Sequence, residues 1–215
     1  MKEISMDFFR DEVRNGFFIP TAVKQAWAAQ LQVLDVIETI CRKHDITYFA
    51  DWGTILGTVR HGGYVPWDDD MDICMKREDY TRFKEAAKTE LPKDFRIHDY
   101  EHQEDHWLFL SRVANSVHIN FEPEHMKQFH NFPYIAGIDI FVLDYLYKDE
   151  QQEKQRCEEV KHIIAVADSI IAGEIAQPVK EANLIQLEEK YHKTFNRKLD
   201  NRHMGIELYR LAEEQ

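Results

Sequence analysis

Between Pro66 and Ile73 the chain places four carboxylates in five residues: Asp68, Asp69, Asp70 and Asp72. Such charges repel one another, and folding gains no stability from gathering them, which points to a chemical use. On an extended strand Asp68, Asp70 and Asp72 would point the same way, because side chains alternate with a period of two. A row of hard oxygen ligands suits Mg2+ or Mn2+, whose charge offsets the repulsion. Most charge runs are solvated turns, but the flanking Trp67, Met71 and Ile73 imply a structured, half-buried setting here. An EF-hand loop fails on its own residues: Ile73 stands where glycine is needed, and Asp79 where glutamate is.

The remaining composition is that of an ordinary globular protein. Its 215 residues are 44% hydrophobic and 12% aromatic, enough for a core. A formal net charge of -12 argues for no nucleic acid partner, since a duplex binder needs a clustered basic surface. It also makes a cation necessary if the chain handles nucleotide phosphates. Cys41, Cys74 and Cys157 are scattered and form no C-x-x-C pair, so neither a zinc site nor a disulfide framework is expected. The simple expectation is a reducing, cytoplasmic setting. Met1 to Arg14 lacks the apolar stretch of a signal peptide. No run approaches the roughly 20 apolar residues of a membrane span, although work at the inner face of the membrane, as a peripheral contact, is compatible with the sequence.

Apolar residues at Val23, Trp27, Leu31, Leu34, Ile37 and Cys41 recur in steps of three and four, predicting a helix over Thr21 to His44 with Thr21 as its N-cap. Ile46 to Ala50 reads as a strand, Asp51 to Gly57 as a turn into a small helix, and His61 to Pro66 as a loop. Strands are expected at Met71 to Met75, Phe95 to His98, Trp107 to Ala114 and Ile138 to Leu143, with a helix over Arg77 to Glu90. Lys148 to Ile175 and Leu184 to Arg197 are long, charged and periodic, and read as helices. The fold class is therefore α/β (α+β): a core over residues 1–147 and an appended C-terminal helical region over 148–215.

Three further features bear on chemistry. Gly53-Thr54, between a strand and a helix, offers backbone N–H groups to a phosphate, and Arg60 near the end of that helix could grip one bidentately. Asp139 is an acidic residue in a very apolar strand, costly to bury unless it meets a metal or a hydrogen-bonding partner. Asp144, just past the strand, is a weaker candidate. His98, His102 and His106 are spaced by four, but their segment reads as a strand end and loop rather than a zinc-binding helix face.

The stretch from Trp27 to Tyr80 resembles the LicD family of phosphocholine transferases, relatives of the fukutin-type proteins. The resemblance rests on Tyr48-Phe49-Ala50-Asp51-Trp52-Gly53-Thr54-Ile55-Leu56-Gly57 and on Arg60-His61-Gly62-Gly63-Tyr64-Val65-Pro66-Trp67-Asp68-Asp69-Asp70-Met71-Asp72-Ile73, and it returns at Gly137 to Leu143. It implies a nucleotidyltransferase-like mixed sheet flanked by helices. The implied metal ligands are Asp70 and Asp72, with Asp68 as a further acidic position and Asp139 as third carboxylate. Gly53, Thr54, Arg60, His61 and Arg112 would face the donor's phosphates. The implied donor is CDP-choline and the implied acceptor a hydroxyl of a cell-surface glycan or teichoic-acid precursor. Members of that family usually run longer than this chain, which therefore reads as a short member or a fragment.

On that resemblance Mg2+ or Mn2+ would neutralise the donor's diphosphate while the hydroxyl attacks in line, with Asp139 completing the metal site or taking the proton. A choline head group favours an aromatic face, for which Trp52, Tyr64, Trp67 and Trp107 are available. Alternatives are a nucleotidyltransferase moving NMP from ATP or CTP to a small-molecule or protein acceptor, a CDP-alditol or sugar-phosphate transferase, and a nucleotide-sensing scaffold.

Overall fold

The computed structural model describes residues 4–101 and 110–215. The described residues fall into two compact units, one running to His98 and resuming from Leu110 to Asp144, the other gathering residues around Tyr100 with Tyr145–Gln215.

The first unit opens with a short 3-10 turn, Met6–Phe9, and a hairpin of β1 (Glu12–Arg14) and β2 (Phe17–Ile19). Asn15 and Gly16 form its tip with φ of 52° and 79°. Asn-Gly is the pair that a two-residue hairpin turn favours, because both positions need positive φ. Lys24, only 2% exposed, anchors this hairpin by a 2.8 Å ion pair to Glu12.

Helix α1 (Thr21–Lys43) follows the expected apolar spacing, but its cap differs. Pro20 holds the cap position, and the Thr21 N–H donates to the Asp11 carboxylate at 2.6 Å. Thr21 itself is the first helical residue; its hydroxyl is spent on Phe9 O at 2.7 Å. Then come β3 (Tyr48–Ala50), α2 (Trp52–His61), β4 (Asp72–Lys76), α3 (Arg77–Glu90), β5 (Arg96–His98), β6 (Ser111–Ala114), α4 (Pro123–Gln128) and β7 (Gly137–Leu143).

The five-stranded sheet has the order β3-β4-β7-β6-β5. Only β4 and β7 run parallel; the other neighbours are antiparallel. Ile73, Met75, Ile138, Ile140 and Val113 share a core with Val33, Ile37 and Ile40 of α1 and Tyr80 and Phe83 of α3. Alternation then assigns Asp72, Cys74, Asp139 and Phe141 to the opposite face. A mixed sheet with helices against it is the α+β architecture the sequence implies.

The second unit packs α5 (Glu150–Ile171), α6 (Gln177–Tyr191) and α7 (Asn201–Glu214) around Ile163, Ile170, Leu184, Leu208 and Tyr209. Asp149 and Asp200 cap α5 and α7 by accepting from Gln152 N and His203 N at 2.8 Å each. Gly205 brings α7 onto α5: a Cβ there would stand 2.3 Å from Ile171 Cγ1. The sequence reading missed α7 and continued the preceding helix to Arg197. Among the described residues no helix is long and apolar enough to cross a membrane.

Gly57 fixes the loop between α2 and β4. A Cβ at this position would meet Gly63 O at 2.4 Å and Val65 N at 2.8 Å, both main chain and unable to swing away. Gly57→Ala is therefore expected to lower Tm by roughly 4–8 °C, equivalent to about 2 kcal/mol for a domain of this size. An unchanged thermal midpoint would mean that this loop is not clamped to the helix.

Candidate active site

Three neighbouring strands bring the acidic and basic groups into one row. Asp72 on β4 stands in register with Asp139 on β7, which in turn faces Arg112 on β6. Arg112 donates to both Asp139 oxygens, from Nε at 2.5 Å and from Nη2 at 2.7 Å. That bidentate pair satisfies the acidic residue of the apolar strand, and it raises the Arg112 pKa further. Gly137 makes room for it: a Cβ would sit 2.9 Å from Arg112 Cδ.

The acidic segment before β4 is not the simple strand that alternation implies. Regular pairing starts only at Asp72, and Asp68 to Asp70 form a curled approach to it. Two α1 side chains hold the curl: Trp27 Nε1 donates to Asp68 O at 2.9 Å, and Gln30 Nε2 to Asp69 O at 2.8 Å. In consequence Asp68, Asp69 and Asp70 each place an oxygen within 4.8 Å of the others'. Asp69, outside the expected ligand set, is inside this cluster, while Asp72 adjoins it electrostatically.

The electrostatics follow. Burial, then the Asp70 carboxylate, pushes the Asp68 pKa up to about 6. Burial again, then Asp70, Asp139, Asp68 and Asp51, pushes Asp72 up to about 6. Arg112 alone does not offset this accumulation. The donor set is all hard oxygen, closely spaced and charge-poor in counter-ions, which fits a divalent cation such as Mg2+ or Mn2+.

Helix α2 locks the acidic strand in place. The Asp72 N–H donates to Thr54 Oγ1 at 2.8 Å, and the Asp51 N–H donates to Asp72 O at 3.0 Å. Gly53 touches the Asp68 side chain so closely that a Cβ would stand 2.3 Å from Oδ2. Gly53-Thr54 thus seats the carboxylates as well as opening the helix. Asp51 accepts from Trp52 N at 2.9 Å, and Trp52 takes a φ of 42°, a left-handed value that is strained for a non-glycine residue. Asp51 was absent from the expected site, although it directly precedes Gly53-Thr54.

Arg60 and His61 form a separate exposed group at the end of α2. Arg60 Nε donates to His61 Nε2 at 2.9 Å, and the Asn15 amide lies 2.9 Å from His61 Nδ1. Trp67 packs against both, with the Arg60 guanidinium 5.8 Å from its ring centre. Of the aromatic candidates, Trp52 is 65% exposed and leans on Phe141, whereas Tyr64 is committed to a stack on Trp27 at 4.7 Å. Trp107, His102 and His106 lie outside the described residues. His98 ends β5, and Asp144 is held by Arg77 at 2.8 and 2.6 Å.

A cavity of about 630 Å3 lies between α1, α2 and the β3–β4 edge. Its wall includes Gly53, Thr54, Asp68 and Asp70, and its apolar side is built from Leu31, Leu34 and Ile73. Its size falls within the roughly 300–1,000 Å3 of small-molecule sites.

The sequence is similar to known proteins over this region. The model of the LicD/FKTN/FKRP nucleotidyltransferase domain matches residues 45–165, more than half of the chain. The lipopolysaccharide cholinephosphotransferase LicD of Haemophilus influenzae is 43% identical over 53 residues, covering 25% of this chain and 20% of that protein. Uncharacterized proteins of Rickettsia typhi and Rickettsia prowazekii are 39% and 42% identical over 54 and 48 residues, covering 25% and 22% of this chain and 18% of each relative. The matched stretch thus spans about a fifth of the curated relatives' length. By the match across most of its sheet and its acidic segment, the chain belongs to the LicD/FKTN/FKRP nucleotidyltransferase-domain family.

Proposed function

We infer that the chain is a metal-dependent phosphotransferase that moves phosphocholine from CDP-choline to a hydroxyl of a glycan or teichoic-acid precursor. One observation carries the reading: the carboxylates of Asp68, Asp69 and Asp70 crowd beside the in-register pair of Asp72 and Asp139, with Arg112 as counter-charge. The likeness to a protein named as a cholinephosphotransferase supports the choice of donor.

Asp70 and Asp72, with Asp68 and Asp139, would hold Mg2+ or Mn2+. When bound, the cation supplies neutralisation of the donor's diphosphate and a better leaving group. Gly53 and Thr54 seat the carboxylates that face it, and Thr54 keeps Asp72 in register through its hydroxyl. Arg112 aligns Asp139 and, being half-exposed, can turn a free N–H to a phosphate oxygen. Arg60 and His61, at the end of α2, would offer further donors to an outer phosphate. The acceptor oxygen attacks the phosphorus that bears choline: a new O–P bond forms, the bridging P–O bond to CMP breaks, and the hydroxyl proton passes to a carboxylate. A choline head group fits beside Asp68 and Asp70 in the cavity between α1 and α2.

Two measurements test this reading. The Asp72 carboxyl is protonated more readily in the folded chain than in the unfolded one, so its contribution to stability is present below pH 4 and is lost as pH rises through about 6. Without divalent cations, Asp72→Asn should therefore gain stability relative to the parent across that window, on the order of 1 kcal/mol after allowing for solvent screening, or roughly 2–4 °C in Tm. Mg2+ should erase the gain by stabilising the parent alone. A variant no more stable than the parent at pH 7 would remove the case for an unneutralised cluster.

Donor binding is read separately, by thermal shift with CDP-choline, CTP, ATP and CDP-ribitol, each with and without Mg2+. The largest metal-dependent shift should come from CDP-choline, and Asp70→Asn should abolish it. Gly53→Ala should weaken it at least about tenfold, because the added methyl displaces the Asp68 carboxylate. A preference for CTP or ATP would instead make the chain a nucleotidyltransferase.

A further inference from the structure

Two residues beyond Asp72 and Asp139, on the same face of the sheet, the side chains change from acidic to apolar. Phe49 on β3, Cys74 on β4 and Phe141 on β7 stand opposite one another in register. Residues two apart on a strand share a face and are separated by roughly 6–7 Å, so this row lies directly beside the acidic one. Cys74 is buried at its centre, whereas Phe49 is 46% exposed. Trp52, at the head of α2, joins the row: its ring centre lies 6.0 Å from that of Phe141, with the two planes inclined by 58°.

Trp52 is placed beside the acidic segment by both of its chain neighbours. The Asp51 N–H donates to Asp72 O at 3.0 Å, and Gly53 lies against the Asp68 carboxylate. Yet the indole between them is 65% exposed, on a residue whose φ is 42°. A large apolar ring left in water stabilises the fold little, and a left-handed tryptophan costs it something. The pairing of these two observations points to a ligand that covers the ring.

Neither Trp52, Phe49 nor Phe141 lines the 630 Å3 cavity, although Gly53, Asp68 and Asp70 do. The acidic segment therefore borders two surfaces, the cavity and the aromatic row of the sheet face. A nucleotide-activated donor carries its diphosphate between a head group and a nucleoside. With the diphosphate at the carboxylates and the head group in the cavity, the nucleoside extends over the aromatic row. A quaternary ammonium group would be drawn instead to Asp68 and Asp70, and a flat heterocycle with polar edges suits exposed rings beside charged groups. We propose that Trp52, with Phe141 and Phe49, forms the nucleobase subsite of this chain, the base stacking on the exposed indole. The placement rests on the donor reading above. Stacking of this kind accepts any base, because every base has a π-face.

The test follows the indole N–H signals of the four tryptophans by NMR, on the isotopically labelled full chain in Mg2+. Trp52 is assigned as the signal that Trp52→Phe removes. CMP, AMP, ribose 5-phosphate, phosphocholine and pyrophosphate are titrated in turn. CMP and AMP should shift the Trp52 signal saturably, and the three probes without a base should leave it in place. By calorimetry, Trp52→Gly, which suits the positive φ, should weaken CMP binding at least about tenfold and leave pyrophosphate binding unchanged. Trp52→Phe, which keeps an aromatic ring, should retain most of the affinity. Stacking of CMP on Trp52 supports the subsite even where CDP-choline binds no better than CMP, a result that would count against phosphocholine transfer alone. A Trp52 signal that no nucleotide moves, or that ribose 5-phosphate moves as far as CMP does, would overturn the subsite. So would full CMP affinity in Trp52→Gly. Pyrophosphate binding in such a case would leave the phosphate site standing.

Discussion

Asp72 and Asp139 stand side by side because β4 and β7 run parallel and in register, the one parallel pairing in the five-stranded sheet. Parallel strands start at the same end, so the segments that lead into them converge there too. The Asp139 N–H reinforces the junction by donating to Met71 O at 3.2 Å. Neighbouring strands lie about 4.8 Å apart, close enough for the Asp139 carboxylate to raise the cost of ionising Asp72. Among the described residues, the cation that meets that cost is Arg112, on the Asp139 side. The rest of the acidic segment is restrained rather than neutralised: Trp27 and Gln30 hold its carbonyls, Thr54 holds the Asp72 amide, and Gly53 leaves space for Asp68. The site is thus preorganised in shape and left short of positive charge.

Much of this was legible in the sequence. Helix α1 declared itself through a 3.6-residue apolar rhythm, and α3 coincides with its expected bounds from Arg77 to Glu90. The strands carrying Asp72 and Asp139 were visible as short apolar runs interrupted by one acid each. What alternation could not give was the conformation of Asp68 to Asp70. That segment is shaped by hydrogen bonds from Trp27 and Gln30, some 40 residues upstream, and a local pattern contains no trace of them. The partner of Asp139 was hidden for the same reason, since the register of β6 against β7 is a tertiary fact.

Other differences had signals that went unused. Asn15-Gly16 is a strong hairpin sign, but β1 and β2 have three residues each, too few to show alternation. Helix α4 has six residues and a proline at its start, and falls below the length at which periodicity is readable. Asp200 before Asn201 was a legible N-cap for α7. Thr21 was misread because a hydroxyl before a helix usually caps it, whereas here Asp11 takes the N–H from outside.

The groups around the acidic cluster are unusually close along the chain. Asp51, Gly53, Thr54 and Asp68 to Asp72 follow one another within a single strand–helix–loop passage, and only Arg112 and Asp139 enter from later strands. The geometry therefore depends on one short cassette, two register-matched positions on later strands, and Trp27 and Gln30 of α1. Insertions beyond β7, or exchanges among the helices from Glu150 onward, leave that cassette's internal bonds untouched. Sequence change there bears on how α5, α6 and α7 pack, and not on the bonds that shape the carboxylate row.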